Sequence, residues 1–472
     1  MADNVETDLL VLGGGPGGYA AAFLAADRGL KVTMVDATAK PGGVCLHCGC
    51  IPSKALLHAA RIITETRDAA SWGLKFAPPQ IDLNTLRARK DKIIDTLASH
   101  LLKLCKDRQV TWINSRGTFE DANTLALASG GKVRFKNAII ATGSSPTKIP
   151  VFDIPSPRVM DSTAALKLES TPATLLVIGG GYIGLEMGTV YAAIGSKVTV
   201  VELTGSLLPG VDPELVRPLA ARLQNQFQKI HLNTKVTKLE EVSNGIRVLM
   251  DGQDMNEPPT TYERVLVAVG RRPNSLNLGL EKIGVQYDSK SKFITVDEHR
   301  RTSVPHIYAI GDVAGEPMLA HKATHEGKLA VQVILGEAAV WDPRCIPAVV
   351  FTDPEIAWAG LMENEAKRLK REVSVARFSW AASGRAMTLG RTDGITKLIV
   401  DPETDRLLGV GLCGPGAGEL IAEGVVAIEM GATSRDVALS IHPHPTLTET
   451  ISEAAETLHG LSSHIYKVRR QK

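Results

Sequence analysis

The chain has 472 residues, 44% of them hydrophobic and 22% charged, a composition typical of a globular protein with more than one domain. Its 53 basic and 51 acidic side chains leave a net charge of +2, which excludes a general attraction to nucleic acid or to anionic membranes. No apolar run reaches the ~18 residues that a membrane-spanning helix needs, and the first residues lack the pattern of a signal peptide. We therefore expect a cytoplasmic protein.

The first predicted elements form a unit of strand, loop, helix and strand. In order, they are a strand at 9–12, the loop Gly13-Gly-Gly15-Pro-Gly-Gly18, a helix to residue 29 and a strand at 31–35 that leads to Asp36. Glycines at this spacing, with an acidic residue at the end of the second strand, are typical of dinucleotide-binding loops. One copy alone is a weak signal, because glycine also serves ordinary turns.

A cluster of three cysteines, Cys45, Cys48 and Cys50, follows this unit. Closely spaced thiols beside a nucleotide site indicate a dithiol/disulfide pair that exchanges electrons with a redox cofactor. The alternatives are a structural cross-link or a metal site, but zinc normally needs a second pair of ligands and the sequence has no second Cys-x-x-Cys. We therefore predict a redox pair and no metal. Helical spacing of leucines between about 55 and 110 predicts two long helices after the cluster.

The strand, loop, helix and strand unit recurs later in the chain. Its parts are a strand at 175–178, the loop Gly179-Gly-Gly181-Tyr-Ile-Gly184, a helix to residue 195 and a strand at 197–201 that leads to Glu202. In both copies the acidic residue lies equally far from the first glycine. Two copies in the same context are a strong signal for two bound dinucleotides, although two Rossmann repeats without ligands remain the alternative.

Each residue type in these loops has a physical reason. The first glycine makes the tight turn, the second lets a pyrophosphate approach backbone N–H groups, and the third lets the helix pack close to the strand. Asp36 and Glu202 are expected to accept hydrogen bonds from ribose hydroxyls. A 2′-phosphate would be repelled by Glu202, and residues 203–210 contain no arginine, so the second site is predicted to take NAD rather than NADP.

Three further apolar strands end at polar or glycine positions. Strands at 137–143 and 264–270 close the two units and place Gly143 and Gly270 at strand tips, and a strand at 307–312 ends in Asp312. We expect the last strand to return the chain to the first unit, where Asp312 adds a second acid. The first site is therefore predicted to hold FAD, because a flavin accepts a hydride and also exchanges electrons with a thiolate.

These patterns predict an α/β fold with two Rossmann-like dinucleotide-binding domains, the second inserted in the first, and a mixed α+β domain at the C-terminus. The predicted boundaries are 1–146 for the FAD-binding domain, 147–275 for the NAD-binding domain, 276–345 for a central domain that completes the FAD side, and 346–472 for the C-terminal domain.

A second group of candidate residues lies near the C-terminus, in His442-Pro-His444-Pro-Thr-Leu-Thr-Glu449. Histidine is the residue type best suited to acid–base work near neutral pH, so His444 could serve as the acid or base of thiol exchange, with Glu449 as its partner. Pro445 predicts a helix start, so the alternative is a packed histidine and a capping box from Thr446 to Glu449 that only secures the helix.

Together these motifs resemble the pyridine nucleotide–disulfide oxidoreductases. The matching segments are Gly42-Gly-x-Cys-Leu-x-x-Gly-Cys-Ile-Pro-Ser-Lys54, Ala141-Thr142-Gly143, Gly181-x-Ile-Gly-Leu-Glu186, Gly311-Asp312, Pro317-Met-Leu-Ala320-His-Lys322 and His444-Pro-Thr-Leu-Thr-Glu449. They span essentially the whole chain. The resemblance implies that Thr142, Gly143, Asp312 and Ala320 contribute to the FAD site.

The resemblance also implies a role for each catalytic candidate. Cys45 is expected to be the thiol that reacts with substrate, and Cys50 the thiol that faces the flavin. Lys54 and Glu186 are expected to form an ion pair beside the flavin, where a positive charge favours the reduced, anionic form.

By the same resemblance, His444, oriented by Glu449, is expected to act on the cysteines of another subunit. The C-terminal domain would then be the interface of an obligate homodimer. The implied activity is the oxidation of dihydrolipoyl groups on the lipoyl domains or lipoylated carrier proteins of 2-oxo acid dehydrogenase or glycine cleavage complexes, with electrons passing through FAD to NAD+.

Two positions depart from the family pattern. Cys48 replaces a usual apolar residue and permits a competing Cys45–Cys48 pair, although we expect it to be a small buried side chain. Pro443 replaces a usual alanine. The alternative functions are a related disulfide reductase like glutathione reductase, and a non-catalytic flavoprotein that serves as a redox sensor or assembly subunit.

Overall fold

The computed structural model describes residues 4–252 and 260–465 of the chain. The last residues of the predicted C-terminal domain, 466–472, lie outside this description, as do residues 1–3 and 253–259.

The first unit is built on a mostly parallel sheet. Its strands and helices are β1 (Val5–Leu12), α1 (Pro16–Asp27), β2 (Val32–Asp36), α2 (Gly43–Cys48), α3 (Cys50–Asp68), α4 (Leu83–Asp107), β3 (Thr111–Asn114), β4 (Gly117–Asp121), β5 (Thr124–Leu127), β6 (Lys132–Ile140) and β7 (Ser144–Pro146). The sheet order is β3-β2-β1-β6-β5-β4, with β1 parallel to both β2 and β6. Apolar side chains on both faces of β1 are fully buried, as parallel strands covered by helices require.

The second unit repeats this design. It contains β8 (Val159–Met160), α5 (Ser162–Leu166), β9 (Thr174–Ile178), α6 (Tyr182–Ala193), β10 (Lys197–Val201), α7 (Pro213–Gln226), β11 (Lys229–His231), β12 (Thr234–Val242), β13 (Gly245–Gly252), β14 (Thr260–Tyr262), β15 (Arg264–Val267) and β16 (Arg271–Pro273). Its parallel sheet has the order β11-β10-β9-β15-β8. The predicted repeat of strand, glycine loop, helix and strand is therefore confirmed.

The chain then returns to the first unit. The elements are α8 (Leu280–Ile283), β17 (Ile307–Ala309) and α9 (Ala320–Ile334). Strand β17 pairs in parallel with β6, so it returns the chain to the first unit as predicted. Helix α9 packs tightly on α1, since a Cβ on Gly17 would lie only 2.8 Å from the carbonyl oxygen of Ala323. The contact between α9 and α1 places the segment around Asp312 at the carboxyl ends of the strands of the first sheet.

The C-terminal unit is an antiparallel sheet with helices. It contains β18 (Ala348–Val350), β19 (Glu355–Gly360), α10 (Glu363–Leu369), β20 (Ser374–Ser379), α11 (Gly384–Thr388), β21 (Ile395–Val400), β22 (Leu407–Gly414), α12 (Ala417–Glu429), α13 (Ser434–Leu439) and α14 (Glu449–His459). The sheet order is β18-β19-β22-β21-β20. The final helix begins at Glu449, not at the Pro445 position that the sequence predicted.

The three units share a core. One cluster of buried side chains joins α3 of the first unit, α6 and α7 of the second, and β18 and β19 of the C-terminal unit. Strands β7 and β16 pair antiparallel where the chain leaves and re-enters the first unit. The numerical domain boundaries stay predictions.

Within the described ranges, no helix is both long enough and apolar enough to cross a membrane.

Candidate active site

The first glycine of each loop turns the chain sharply at the end of a strand. Gly13 has φ +113° and Gly179 has φ +108°, values that other residues rarely adopt. A Cβ would lie 2.2 Å from the carbonyl oxygen of Ala141 at Gly13, and 2.4 Å from that of Ala268 at Gly179. Glycine is therefore required at both positions by the fold itself.

The other two glycines of each loop differ in their surroundings. A Cβ on Gly18 or Gly184 would lie within 2.2 Å of the carbonyl oxygen of the first glycine, so the helix can approach its strand only there. Among the described residues, a Cβ on Gly181 would meet no atom within 4 Å, and one on Gly15 only the Cα of Gly43 at 3.9 Å. No described neighbour of Gly15 or Gly181 would clash with a side chain there, and the open space fits the pyrophosphate of a dinucleotide.

The acidic residues at the ends of β2 and β10 are held in matching ways. Asp36 accepts a hydrogen bond from the N–H of Gly14 at 2.6 Å, and Glu202 from the N–H of Gly180 at 2.7 Å. Each also accepts from the backbone and side chain of the threonine two residues further on. A carboxylate has about four acceptor positions. Both are thus oriented by the loops and keep capacity for a ribose hydroxyl.

A cavity of about 1060 Å³ lies at the carboxyl ends of β1 and β6. Its size suits a large cofactor. The predicted site residues that line it are Gly13, Gly15, Asp36, Cys45, Cys50, Lys54, Thr142, Gly143, Glu186, Asp312 and Ala320. Of the other predicted residues, Gly18 is buried beneath the loop, and the lining among the described residues does not include Gly179, Gly181, Gly184, Glu202, Gly270, His444 or Glu449.

Cys45 in α2 and Cys50 at the start of α3 are hydrogen-bonded to each other in this cavity. The hydrogen bond from Cys45, and then the charge of Lys54, outweigh burial and lower the pKa of Cys50 to about 7. The hydrogen bond to Cys50, together with burial, raises the pKa of Cys45. Of the two thiols, Cys50 is therefore the stronger acid, and its pKa and that of Cys45 are shifted in opposite directions.

Lys54 is fixed by residues from two other units. Its Nζ lies 2.9 Å from Oε2 of Glu186 on α6, which is buried, and 4.4 Å from the ring centre of Phe351. The backbone N–H of Phe351 donates to Oε1 of Glu186 at 3.0 Å. The predicted ion pair is thus present and holds a positive charge beside the thiols. Sequence reasoning did not identify Phe351, which only tertiary contact brings here.

Asp312 is held from both sides of the cavity. Its Oδ2 accepts a hydrogen bond from the hydroxyl of Ser144 at 2.5 Å, and that hydroxyl accepts one from Nε of Arg271 at 2.8 Å.

A buried charge cluster, also missed from the sequence, supports the turn that carries Asp312. Glu326, with no exposed surface, accepts from the N–H of Gly311 at 2.6 Å and pairs with Lys322 at 3.2 Å and Arg300 at 3.1 Å. A Lys–Glu pair four residues apart within the buried part of a helix is the signal that could have revealed it.

Cys48 also lines the cavity, and it is half-buried rather than fully buried as expected. Burial raises the pKa of its thiol, while a hydrogen bond to Thr163 and the charge of Arg271 oppose this effect. Its hydrogen bond thus goes to α5, whereas Cys45 and Cys50 bond to each other.

His444 and Glu449 form a pair elsewhere in the chain. Nδ1 of His444 lies 2.8 Å from Oε1 of Glu449, and the N–H of Thr446 donates to Oε2 at 2.8 Å. Half of the alternative capping box is therefore present, but the Thr446 hydroxyl donates to the carbonyl of Pro443 instead of completing it. The side chain of His444 is 74% exposed, so its other ring nitrogen faces outward from this chain.

His442, two residues before His444, bonds to Oε1 of Glu423 at 2.7 Å. Across the described part of the chain, no group of three or more His, Cys, Asp or Glu side chains is arranged to hold a metal ion.

The chain belongs to the pyridine nucleotide-disulphide oxidoreductases. The family pattern matches residues 7–327, and the pattern of the family's dimerisation domain matches residues 346–455. Enzymes of this family use FAD and NAD(H), which agrees with the two glycine loops and their acids, and the second match supports a homodimer.

Two relatives within this family that match nearly the whole chain carry the same name. The chain is 46% identical to a dihydrolipoyl dehydrogenase of Vibrio parahaemolyticus over 98% of this chain and 97% of the relative. It is 43% identical to one from Geobacillus stearothermophilus, with 98% of each covered.

Solved structures of similar fold include LpdA from Mycobacterium tuberculosis, with a TM-score of 0.87 at 27% identity, which covers 96% of this chain and 99% of LpdA. The flavoprotein disulfide reductase RclA from Escherichia coli has a TM-score of 0.85 at 26% identity, over 95% of this chain and 99% of RclA. The predicted fold is therefore confirmed, and the chain is an FAD- and NAD-dependent disulfide oxidoreductase.

Proposed function

We propose that this protein oxidises dihydrolipoyl groups through a Cys45–Cys50 disulfide and delivers the electrons to NAD+. The observation that carries the proposal is the hydrogen-bonded Cys45–Cys50 pair beside the fixed charge of Lys54, inside a cavity lined by a dinucleotide loop. The dihydrolipoyl dehydrogenase names of relatives at 43–46% identity support the substrate.

The two thiols have different roles in this proposal. A thiolate of the substrate attacks Sγ of Cys45 in the oxidised enzyme, forms a mixed disulfide and releases Cys50 as a thiolate. The second substrate thiolate attacks the substrate sulfur of that mixed disulfide, so the cyclic disulfide leaves and Cys45 is released. The substrate loses two electrons, and the enzyme pair gains them. A thiol of low pKa leaves faster, which suits the lowered pKa of Cys50.

FAD, when bound, accepts the electron pair from the dithiol and passes a hydride to NAD+. The chain contributes the residues around it. One end of FAD would be held by Gly13, Gly15 and Asp36, and the cavity around it would be lined by Thr142, Gly143, Asp312 and Ala320. Lys54, held in place by Glu186, would put its positive charge beside Cys50. Gly179, Gly181, Gly184, Glu202 and Gly270 would hold NAD.

We propose His444 of the partner subunit as the base that removes the substrate protons. Histidine titrates in the right range, and Glu449 fixes its ring through Nδ1, which leaves Nε2 for the substrate. His444 is exposed and lies outside the cavity lining of its own chain, so a second chain must bring it to the cysteines.

The homodimer interface is proposed to include the exposed apolar side chains around α12 and α13. Val426 is 62% exposed, Met430 79% and Ile441 100%, and all three lie within or beside the matched dimerisation segment. Exposed apolar side chains in such a group mark an interface. Val426→Asp with Met430→Asp should yield monomers by light scattering and abolish dihydrolipoyl oxidation. The matched control is Leu369→Asp, which adds the same charge at an exposed apolar residue outside α12 and α13. It should leave the dimer intact.

The physiological partners are proposed to be lipoyl domains or lipoylated carrier proteins of 2-oxo acid dehydrogenase or glycine cleavage complexes. A cytoplasmic location stays a prediction from the sequence.

The function is tested by adding dihydrolipoamide and NAD+ to the FAD-loaded protein and following NADH. We expect Cys45→Ser and Cys50→Ser each to abolish NADH formation and His444→Gln to reduce it by about 10²–10⁴-fold. NADH oxidation by ferricyanide, which needs no thiol proton removed, should survive in His444→Gln and shows that the cofactors are still bound. Wild-type turnover of dihydrolipoamide in Cys45→Ser would rule the proposal out.

A further inference from the structure

Residues 460–465, the last that the structure describes, fold back on α14 at the turn that follows this helix. The N–H of Leu461 donates to the carbonyl of Glu456 at 3.0 Å, and the hydroxyl of Ser462 donates to Oε2 of Glu453 at 2.8 Å. The side chain of Ile465 then packs into the core of the C-terminal unit. Three independent contacts therefore place residue 464 beside the helix.

His464 forms an imidazole–carboxylate pair at this place. Its Nδ1 is hydrogen-bonded to Oε1 of Glu453, which is only 9% exposed. Glu453 lies one helical turn after Glu449, so the two carboxylates share a face of α14. The catalytic pair and the second pair are thus adjacent, and each consists of one histidine and one glutamate.

Charges from several elements converge here. The groups whose charges act on one another are Glu449, Glu453 and Glu456 of α14, Glu423 of α12, and the imidazoles of His442, His444 and His464. Without a positive charge, Glu453 would add an uncompensated, nearly buried negative charge one turn from Glu449. Like charges at this spacing repel.

We propose that His464 and Glu453 are positioning residues that set the charge around the His444–Glu449 pair and so tune the pH at which the base becomes active. The inference rests on the proposed role of His444. The proposed tuning of the base gives residues 460–465 a role that the electron transfer itself does not require.

The pKa shifts agree in direction. The hydrogen bond to Glu453 and its charge raise the pKa of His464, so the pair is fully formed below the ordinary histidine value and is lost as the pH rises through the raised one. Burial alone would raise the pKa of Glu449, but the Thr446 N–H, His444 and His464 outweigh burial and lower it. Both imidazoles therefore act on the same carboxylate.

The experiment is the pH profile of kcat/KM for dihydrolipoamide in the FAD-loaded dimer. Removing the positive charge with His464→Gln should make the base hold its proton more tightly, and should move the midpoint of the acidic limb up by about half a pH unit. Removing the negative charge with Glu453→Gln should move the midpoint down. The double variant should return it close to that of the wild type, because the net charge is again that of the intact pair.

His459→Gln is the matched control. His459 lies on the same helix, but it bonds to Ser434 at 2.9 Å and faces Asp405 instead of the cluster around Glu449. Its pH profile should match that of the wild type.

Identical midpoints in His464→Gln, Glu453→Gln and the wild type would overturn the inference while leaving the proposed function intact. Full activity in His444→Gln would overturn the proposed function instead. Shifts of the same sign in both single variants would indicate a general loss of structure and would also overturn the inference.

Discussion

At the scale of single residues, the thiol chemistry depends on the charge of Lys54. Its ammonium favours the thiolate of Cys50 and lies against buried Glu186. Lys54→Met should raise the pH at which Cys50 becomes reactive and slow dihydrolipoamide oxidation at least tenfold. The rate of alkylation of Cys50 against pH, followed by mass spectrometry, measures the first effect. Because Met also leaves Glu186 unpaired, Lys54→Met with Glu186→Gln separates charge from instability.

Lys54→Arg keeps the positive charge and is the control for the same measurement. An unchanged alkylation profile in Lys54→Met would show that the charge does not act on Cys50.

Cys48 gives a contrasting expectation. Its hydrogen bond goes to Thr163, and its pKa is raised mainly by burial, so it is a poor nucleophile at neutral pH. Cys48→Val should keep at least half of the wild-type turnover in the NADH assay. A loss as severe as that of Cys45→Ser would instead favour a Cys45–Cys48 pair.

At the scale of elements, the glycine loops separate binding from folding. Gly181→Ala adds a methyl group in open space, so it should raise the KM for NAD about tenfold or more and leave the thermal unfolding midpoint unchanged. Gly184→Ala places its methyl group 2.2 Å from the carbonyl oxygen of Gly179, so it should destabilise the protein by about 1–3 kcal/mol. Kinetics and thermal unfolding on both variants check the contrast, and equal destabilisation by the two would contradict it.

The elements that could be predicted from the sequence are those with local signals. The glycine loops, the strands beside them and the acids Asp36 and Glu202 follow from spacing, because local turns and short continuous apolar runs dictate them. The sequence predicts a helix start at Pro445, whereas α14 begins at Glu449. The hydroxyl of Thr446 bonds to the backbone of Pro443, and such local bonds compete with helix formation.

At the scale of the whole molecule, one buried lysine ties the second unit to the C-terminal unit. Lys397 of β21, 1% exposed, lies 2.7 Å from Asp212, the N-cap of α7, and also pairs with Glu214 and Glu363. Lys397→Met should destabilise the protein by about 3–5 kcal/mol, since it leaves the buried carboxylate of Asp212 without its positive partner, whereas Glu214 and Glu363 keep Arg377. Denaturant unfolding measures the effect.

The exposed ion pair of Arg28 with Glu337 is the control for this prediction. Its partners are 52% and 36% exposed, so Arg28→Ala should change the unfolding midpoint little. Comparable losses in the two variants would mean that burial does not govern the Lys397 cluster.

The contacts between units could not be predicted from the sequence. Phe351 against Lys54, and Lys397 against Asp212, join residues far apart in the chain, and no local pattern marks either pair. The buried Glu326 cluster was accessible in principle, because Lys322 and Glu326 lie one turn apart.

The position of His444 outside the cavity of its own chain has a genetic consequence. Under the proposed role of His444, homodimers of Cys45→Ser and homodimers of His444→Gln should each be almost inactive. A hybrid of the two should contain one complete site, made from the intact cysteine of one subunit and the intact histidine of the other. Random assembly of equal amounts should therefore restore about a quarter of wild-type turnover. Two defective alleles expressed together would complement each other, whereas a site contained within one chain would leave the mixture inactive.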